Sequence, residues 1–160
     1  YDLGNFATAE EYAHIIQTNS QLAPSTIGLC NLYSGKVAQT QEEYNKAITQ
    51  YNKVSTANLG VLSAEAKYLS AQVLMLQGRL DDAAKAADKA ARTSSQYQYW
   101  VAKDFILLAQ IMILQKDYFE ASAILEELKR ELKIEELKPE VETMLEEVNL
   151  LQKANSKLQE

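Results

Sequence analysis

The chain has 160 residues and is 47% hydrophobic, enough for a self-supporting core and too apolar for global disorder. One Cys excludes an internal disulfide framework and one His excludes a multi-histidine metal site. The net charge of -6 lacks the basic footprint of a nucleic-acid binder. Residues 1–115 carry a net charge of -1 and residues 116–160 a net charge of -5, so the acid excess predicts a solvated helical surface in the last third.

Apolar residues recur at helical spacing along nearly the whole chain. Turns are expected near residues 4, 35, 78 and 116. Residues 63–77 are rich in good helix formers, and Gly78 stops that run. Residues 80–93 resume the pattern, with Asp81 and Asp82 suited to the positive end of the helix dipole. Thr93-Ser94-Ser95 breaks it, and Ser95 is the expected cap of the next helix, over 96–115. A further helix is expected over 118–132. Pro139 fits the first turn of a final helix to about residue 158. No segment has the alternation and turn chemistry of a strand hairpin. The apolar stretch Phe105–Leu114, interrupted by Gln110, is too short to span a bilayer. The expected class is all-α.

Four six-residue words decide the architecture. They begin at Gly4, Gly35, Gly78 and Lys116, each with a turn residue first, an apolar residue third and a small residue sixth. Seven residues before the last three turns stand Gly28, Ala71 and Ala109, all small. A helix–turn–helix unit cannot bury its apolar face alone, so neighbours stack, and small residues let the backbones approach. Ala71 and Ala109 are therefore expected at buried helix crossings.

This pattern resembles the tetratricopeptide repeat family, whose repeat is about 34 residues long. Ile27-Gly28 resembles its Leu-Gly step; Thr40-x₃-Tyr44 and Ala121-x₃-Leu125 resemble its Ala-x₃-Phe step. Asn31, Leu74 and Met112 depart from the aromatic expected after the Leu-Gly step, no Pro closes a repeat, and Lys116 replaces the turn glycine. The resemblance implies an α-solenoid of stacked antiparallel helix pairs, a right-handed superhelix, over residues 1–133, with a capping helix over 138–160. It begins inside a repeat, Tyr1-Asp2-Leu3 resembling the end of a first helix, so the chain reads as part of a longer array. A finer resemblance, to large bacterial envelope-associated repeat proteins, implies the periplasm.

In the resembling family the first helix of each repeat lines a concave groove. The expected stripe is Ser25, Leu29 and Leu32, then Tyr68, Gln72 and Met75, then Ile106, Gln110 and Ile113, each triple on one helix face. It carries no charge, so partner binding is expected to depend little on salt. The implied function is a non-enzymatic scaffold binding a protein or peptide segment there. The alternative is a structural or oligomerisation module of a larger multi-repeat protein with no peptide ligand of its own. Solvent exposure separates groove from core. The last helix holds a candidate pairing seam, Val141, Met144, Val148, Leu151, Asn155 and Leu158, spaced 3-4-3-4-3, with packing on helix 118–132 as the competing use.

No catalytic, metal or cofactor site is expected. His14 has no second ligand nearby, and Cys30 lacks a base and an orienting group. The acid pairs Asp81-Asp82, Glu126-Glu127, Glu135-Glu136 and Glu146-Glu147 are adjacent on helices, so their side chains diverge and solvation is expected. Tyr97, Tyr99, Trp100 and Phe105 form either the packed start of a helix or a partner-binding aromatic patch.

Overall fold

The computed structural model describes residues 11, 14–16, 18 and 22–157. The expected turn near residue 4 and the Tyr1-Asp2-Leu3 segment lie outside them. The described residues form helices and turns with no strand, and the chain divides into two compact units, Tyr1–Gln77 and Gly78–Glu160.

In the first unit, α1 (Pro24–Thr40), α2 (Tyr44–Ser55) and α3 (Val61–Leu76) pack in succession, and α1 also touches α3. Pro24 opens α1, where its missing N–H costs nothing. The core joins Leu32, Ala38, Ala47, Tyr51, Val54, Ala66 and Val73. Ser63 ties the α2–α3 loop, accepting from Leu59 N (2.8 Å) and donating to the Val54 carbonyl (2.7 Å).

The expected turn at Gly35 is corrected by the structure: Gly35 is buried inside α1. A Cβ there would stand 2.5 Å from Tyr51 Cε1, so glycine serves close helix approach rather than chain reversal. The reversal occurs seven residues later, at Glu42, which adopts φ 61°. Gly78 (φ 74°) and Lys116 (φ 64°) hold the same left-handed position before α4 and α6. The N–H groups beyond two of these turns close them: Glu43 N donates to Ala38 O (2.8 Å) and Asp117 N to Met112 O (2.9 Å).

In the second unit, α4 (Leu80–Thr93), α5 (Gln98–Leu114), α6 (Tyr118–Glu131) and α7 (Lys138–Lys157) also pack in succession. On α4 one alanine-rich face is buried, with Asp81 and Asp82 in the first turn and Arg92 in the last, matching the dipole. The expected Ser95 cap is not found: Tyr97 precedes α5 with no side-chain cap bond, and the Ser95 carbonyl accepts from Gln98 Nε2 (2.7 Å). Asp117 caps α6, accepting from Glu120 N (3.2 Å). Leu132 and Ile134 are extended, a short 3₁₀ turn covers Glu135–Leu137, and Pro139 stands in the first turn of α7 as expected. The core joins Ala102, Ile106, Ala109, Ala121 and Leu125 with Leu132, Leu137, Val141, Met144 and Val148. Within each unit this is the consecutive helix-on-helix packing of a tetratricopeptide-like solenoid.

Candidate functional site

Three of the left-handed residues, Glu42, Gly78 and Lys116, set the repeat register. Counting from Glu42, Gly78 and Lys116, the third residue is Tyr44, Leu80 and Tyr118, and the sixth is Ala47, Ala83 and Ala121, each of the three alanines fully buried. Seven residues before the turns stand Gly35, Ala71 and Ala109, also buried, and Gly28 drops out of the set. The turn spacings become 36 and 38 residues, nearly regular. The Ala-x₃-Phe step of the first repeat is Ala47-x₃-Tyr51, not Thr40-x₃-Tyr44. Glycine drew the sequence reading to residue 35; no residue-type signal marks Glu42.

The new register changes the stripe. Three, six and ten residues before Glu42 come Gln39, Lys36 and Leu32, which replace Ser25 and Leu29 as equivalents of Met75, Gln72 and Tyr68. Leu29 is nevertheless 42% exposed. Leu32 and Ile106 are each 1% exposed and belong to the two cores, so neither reaches a partner. Tyr68 is 8% exposed, and its ring is no exposed anchor. Gln72, Met75, Gln110 and Ile113 are half-buried. The expected absence of charge is corrected by Lys36, whose Nζ lies 2.6 Å from Glu65 Oε1 and 5.3 Å from the Tyr33 ring centre.

A polar ladder joins the stripe residues of the first unit. Tyr51 donates its hydroxyl to Gln39 Oε1 (2.8 Å), Gln39 Nε2 donates to Gln72 Oε1 (2.9 Å), and Gln72 Nε2 donates to the Tyr68 hydroxyl oxygen (3.3 Å). Burial, then the Glu65 carboxylate, pushes the Tyr51 phenol well above its ordinary range, so it stays a donor. Each half-buried glutamine keeps a second N–H and a second oxygen lone pair, the groups a peptide backbone uses. Lys36 and Gln39 were missed from sequence because the turn was placed seven residues early.

The remaining candidates separate. Val141, Met144 and Val148 of the expected pairing seam are buried in their own unit; Leu151 is half-buried, Asn155 is exposed, and Leu158 lies outside the described residues. The seam therefore serves packing over its first half. Tyr99 is partly exposed and meets Trp100 edge-on, with ring centres 5.1 Å apart. All four acid pairs are exposed. His14 is exposed; Cys30 is half-buried and its thiol is pushed up by burial, away from the reactive thiolate. Among the described residues no group of His, Cys, Asp and Glu could hold a metal ion, and no helix is long and apolar enough to cross a membrane.

The family model for the tetratricopeptide repeat matches residues 34–98, which begin one residue before Gly35 and end at the start of α5. Comparison with curated proteins and with solved structures returns no match. Such repeats generally mediate protein–protein interaction, and the family is generally non-enzymatic. The left-handed turns at Glu42 and Gly78 and the buried small residues Gly35 and Ala71 fall inside the stretch, residues 34–98, that matches the tetratricopeptide repeat family.

Proposed function

We propose that the chain is a non-enzymatic scaffold that binds an extended protein segment on the first helices of its repeats. The observation that carries this reading is the Gln39–Gln72 pair in the first unit. It joins two stacked first helices and still offers unused amide groups at the surface. Apolar contact beside it comes from half-buried Met75 and from Leu76, which is largely exposed. Lys36 and Glu65 at the same stripe give the surface a salt-sensitive component.

The test is selection of peptides from a displayed random library against the full chain. Affinity of the best binder is then measured for wild type, Gln72→Ala and Met75→Ala. Each substitution is expected to weaken binding roughly tenfold, the scale of one lost amide bond or apolar contact, with the melting temperature nearly unchanged for Met75→Ala and lowered by a few degrees for Gln72→Ala, which also loses its bonds to Gln39 and Tyr68. Equal affinity for all three proteins contradicts the reading.

A further inference from the structure

The second unit holds a cavity that the first-helix stripe does not use. It opens between the start of α5 and the end of α6, with a volume of about 730 Å³. Val101 and Phe105 of α5, Ile124 and Leu128 of α6, and Ile134 beyond it line the cavity, each half-buried. These side chains expose apolar surface to a hollow of the size that holds ligand groups, roughly 300–1,000 Å³. On α5, Val101 and Phe105 lie on a different face from Ile106, Gln110 and Ile113.

Two further observations say what fits. One wall is Leu132–Ile134, whose first and last residues are extended; among the described residues neither Lys133 N nor Ile134 N donates a hydrogen bond. An extended chain laid beside such a segment gains main-chain bonds while one of its side chains enters the adjoining hollow. The second observation is charge. At the cavity Arg130 pairs with Glu127 (3.8 Å), and close by in the chain Lys129 pairs with Glu142 (3.4 Å) and Lys138 with Glu135 (2.6 Å). Glu131 and Lys133, both lining the cavity, have no ion partner among the described residues. One unmatched carboxylate and one unmatched ammonium stand two residues apart.

We infer that the α5–α6 cavity receives a large apolar side chain of an extended partner segment, flanked in that segment by one acidic and one basic residue. The acid faces Lys133, the base faces Glu131, and the partner's main chain runs along Leu132–Ile134. The partner is a peptide segment rather than a helix, because the unpaired wall is extended backbone.

The test uses the full chain with labelled Ile, Leu and Val methyl groups. Three synthetic heptapeptides are titrated: one with a central phenylalanine, aspartate two residues before it and lysine two residues after; the same peptide with the charges exchanged; and a control with glycine at the centre. The methyl groups of Val101, Ile124, Leu128 and Ile134 are expected to shift with the phenylalanine peptides and not with the control. One charge order should bind more tightly, by about tenfold. The double variant Glu131→Lys with Lys133→Glu, both exposed positions, should reverse that preference. Equal shifts with the glycine control, shifts confined to Leu29 and the other first-unit methyl groups, no shift at millimolar peptide, or a charge preference unmoved by the double variant would each overturn the inference.

Discussion

In the first unit the stacked helices meet through a tyrosine ring, two glycines and a ladder of amides. In the second, the core cluster consists of alanine, branched aliphatic side chains and Met144. Gly35 admits the Tyr51 ring, and that ring carries a hydroxyl which needs Gln39. The equivalent positions in the second unit are Ala109 and Leu125, which fill the same joint with no polar atom. The first solution leaves hydrogen-bonding groups at the surface where stacked first helices meet. The second closes its core with α7 and confines most of its ion pairs to exposed rims, where each contributes little. A polar ladder in one unit and a fully apolar joint in the other thus follow from a few residue choices in one repeat pattern.

The largest effect is expected from removing α7. Truncation after Lys138 takes Val141, Met144 and Val148 out of the second core; at about 1.5–3 kcal/mol for each large buried side chain, most of that unit's stability goes with them. Loss of helical circular dichroism well beyond the deleted residues checks this. A loss proportional to the deletion would show that α7 is dispensable.

Next comes Gly35→Ala. The added methyl meets the pinned Tyr51 ring and should cost about 1–3 kcal/mol in a chemical melt. At Gly28 the obstructing atoms belong to the half-buried side chain of Leu59, which can turn aside, so Gly28→Ala should cost less. Equal costs would remove the distinction between the two glycines and with it the corrected register.

Gly78→Ala follows at about 1–2 kcal/mol, from backbone strain alone, because nothing lies near the new methyl. The loss should appear in the melt without any change in the packing of neighbouring side chains.

The smallest effect is on the ladder. Tyr51→Phe should cost about 1 kcal/mol by leaving Gln39 Oε1 without its donor. It should also soften the alkaline dependence of stability. The folded phenol titrates well above the unfolded one, so its contribution is complete below about pH 10 and falls as pH rises beyond that. A wild type and a Tyr51→Phe variant with the same slope above pH 10 would show that the phenol is not held protonated by the fold.

How much of this was legible differs by element. Helices α4 to α7 could be placed within a few residues because Gly78, Asp117 and Pro139 punctuate them with ordinary turn and cap chemistry, although Lys116 is left-handed against its residue type. The first turn was not legible: Glu42 takes a left-handed conformation that its residue type does not advertise, while Gly35 advertises a turn and makes none. The stripe inherited that error, losing Lys36 and Gln39. Leu32 and Ile106 misled for another reason. A helix apolar on several faces shows the same spacing toward groove and core, and only packing tells them apart. The cavity was invisible because it depends on how α5 and α6 separate, not on any residue pattern.

The most direct measurement of the interaction-surface reading is a methionine-methyl spectrum of the full chain with and without a library-selected peptide. The chain has 3 methionines, each in a different setting: Met75 in the first-unit stripe, Met112 against the second core and Met144 within it. At saturation the Met75 methyl should shift while Met144 stays in place. Saturation binding that leaves Met75 unmoved, or moves Met144 equally, would contradict a partner seated on the first helices.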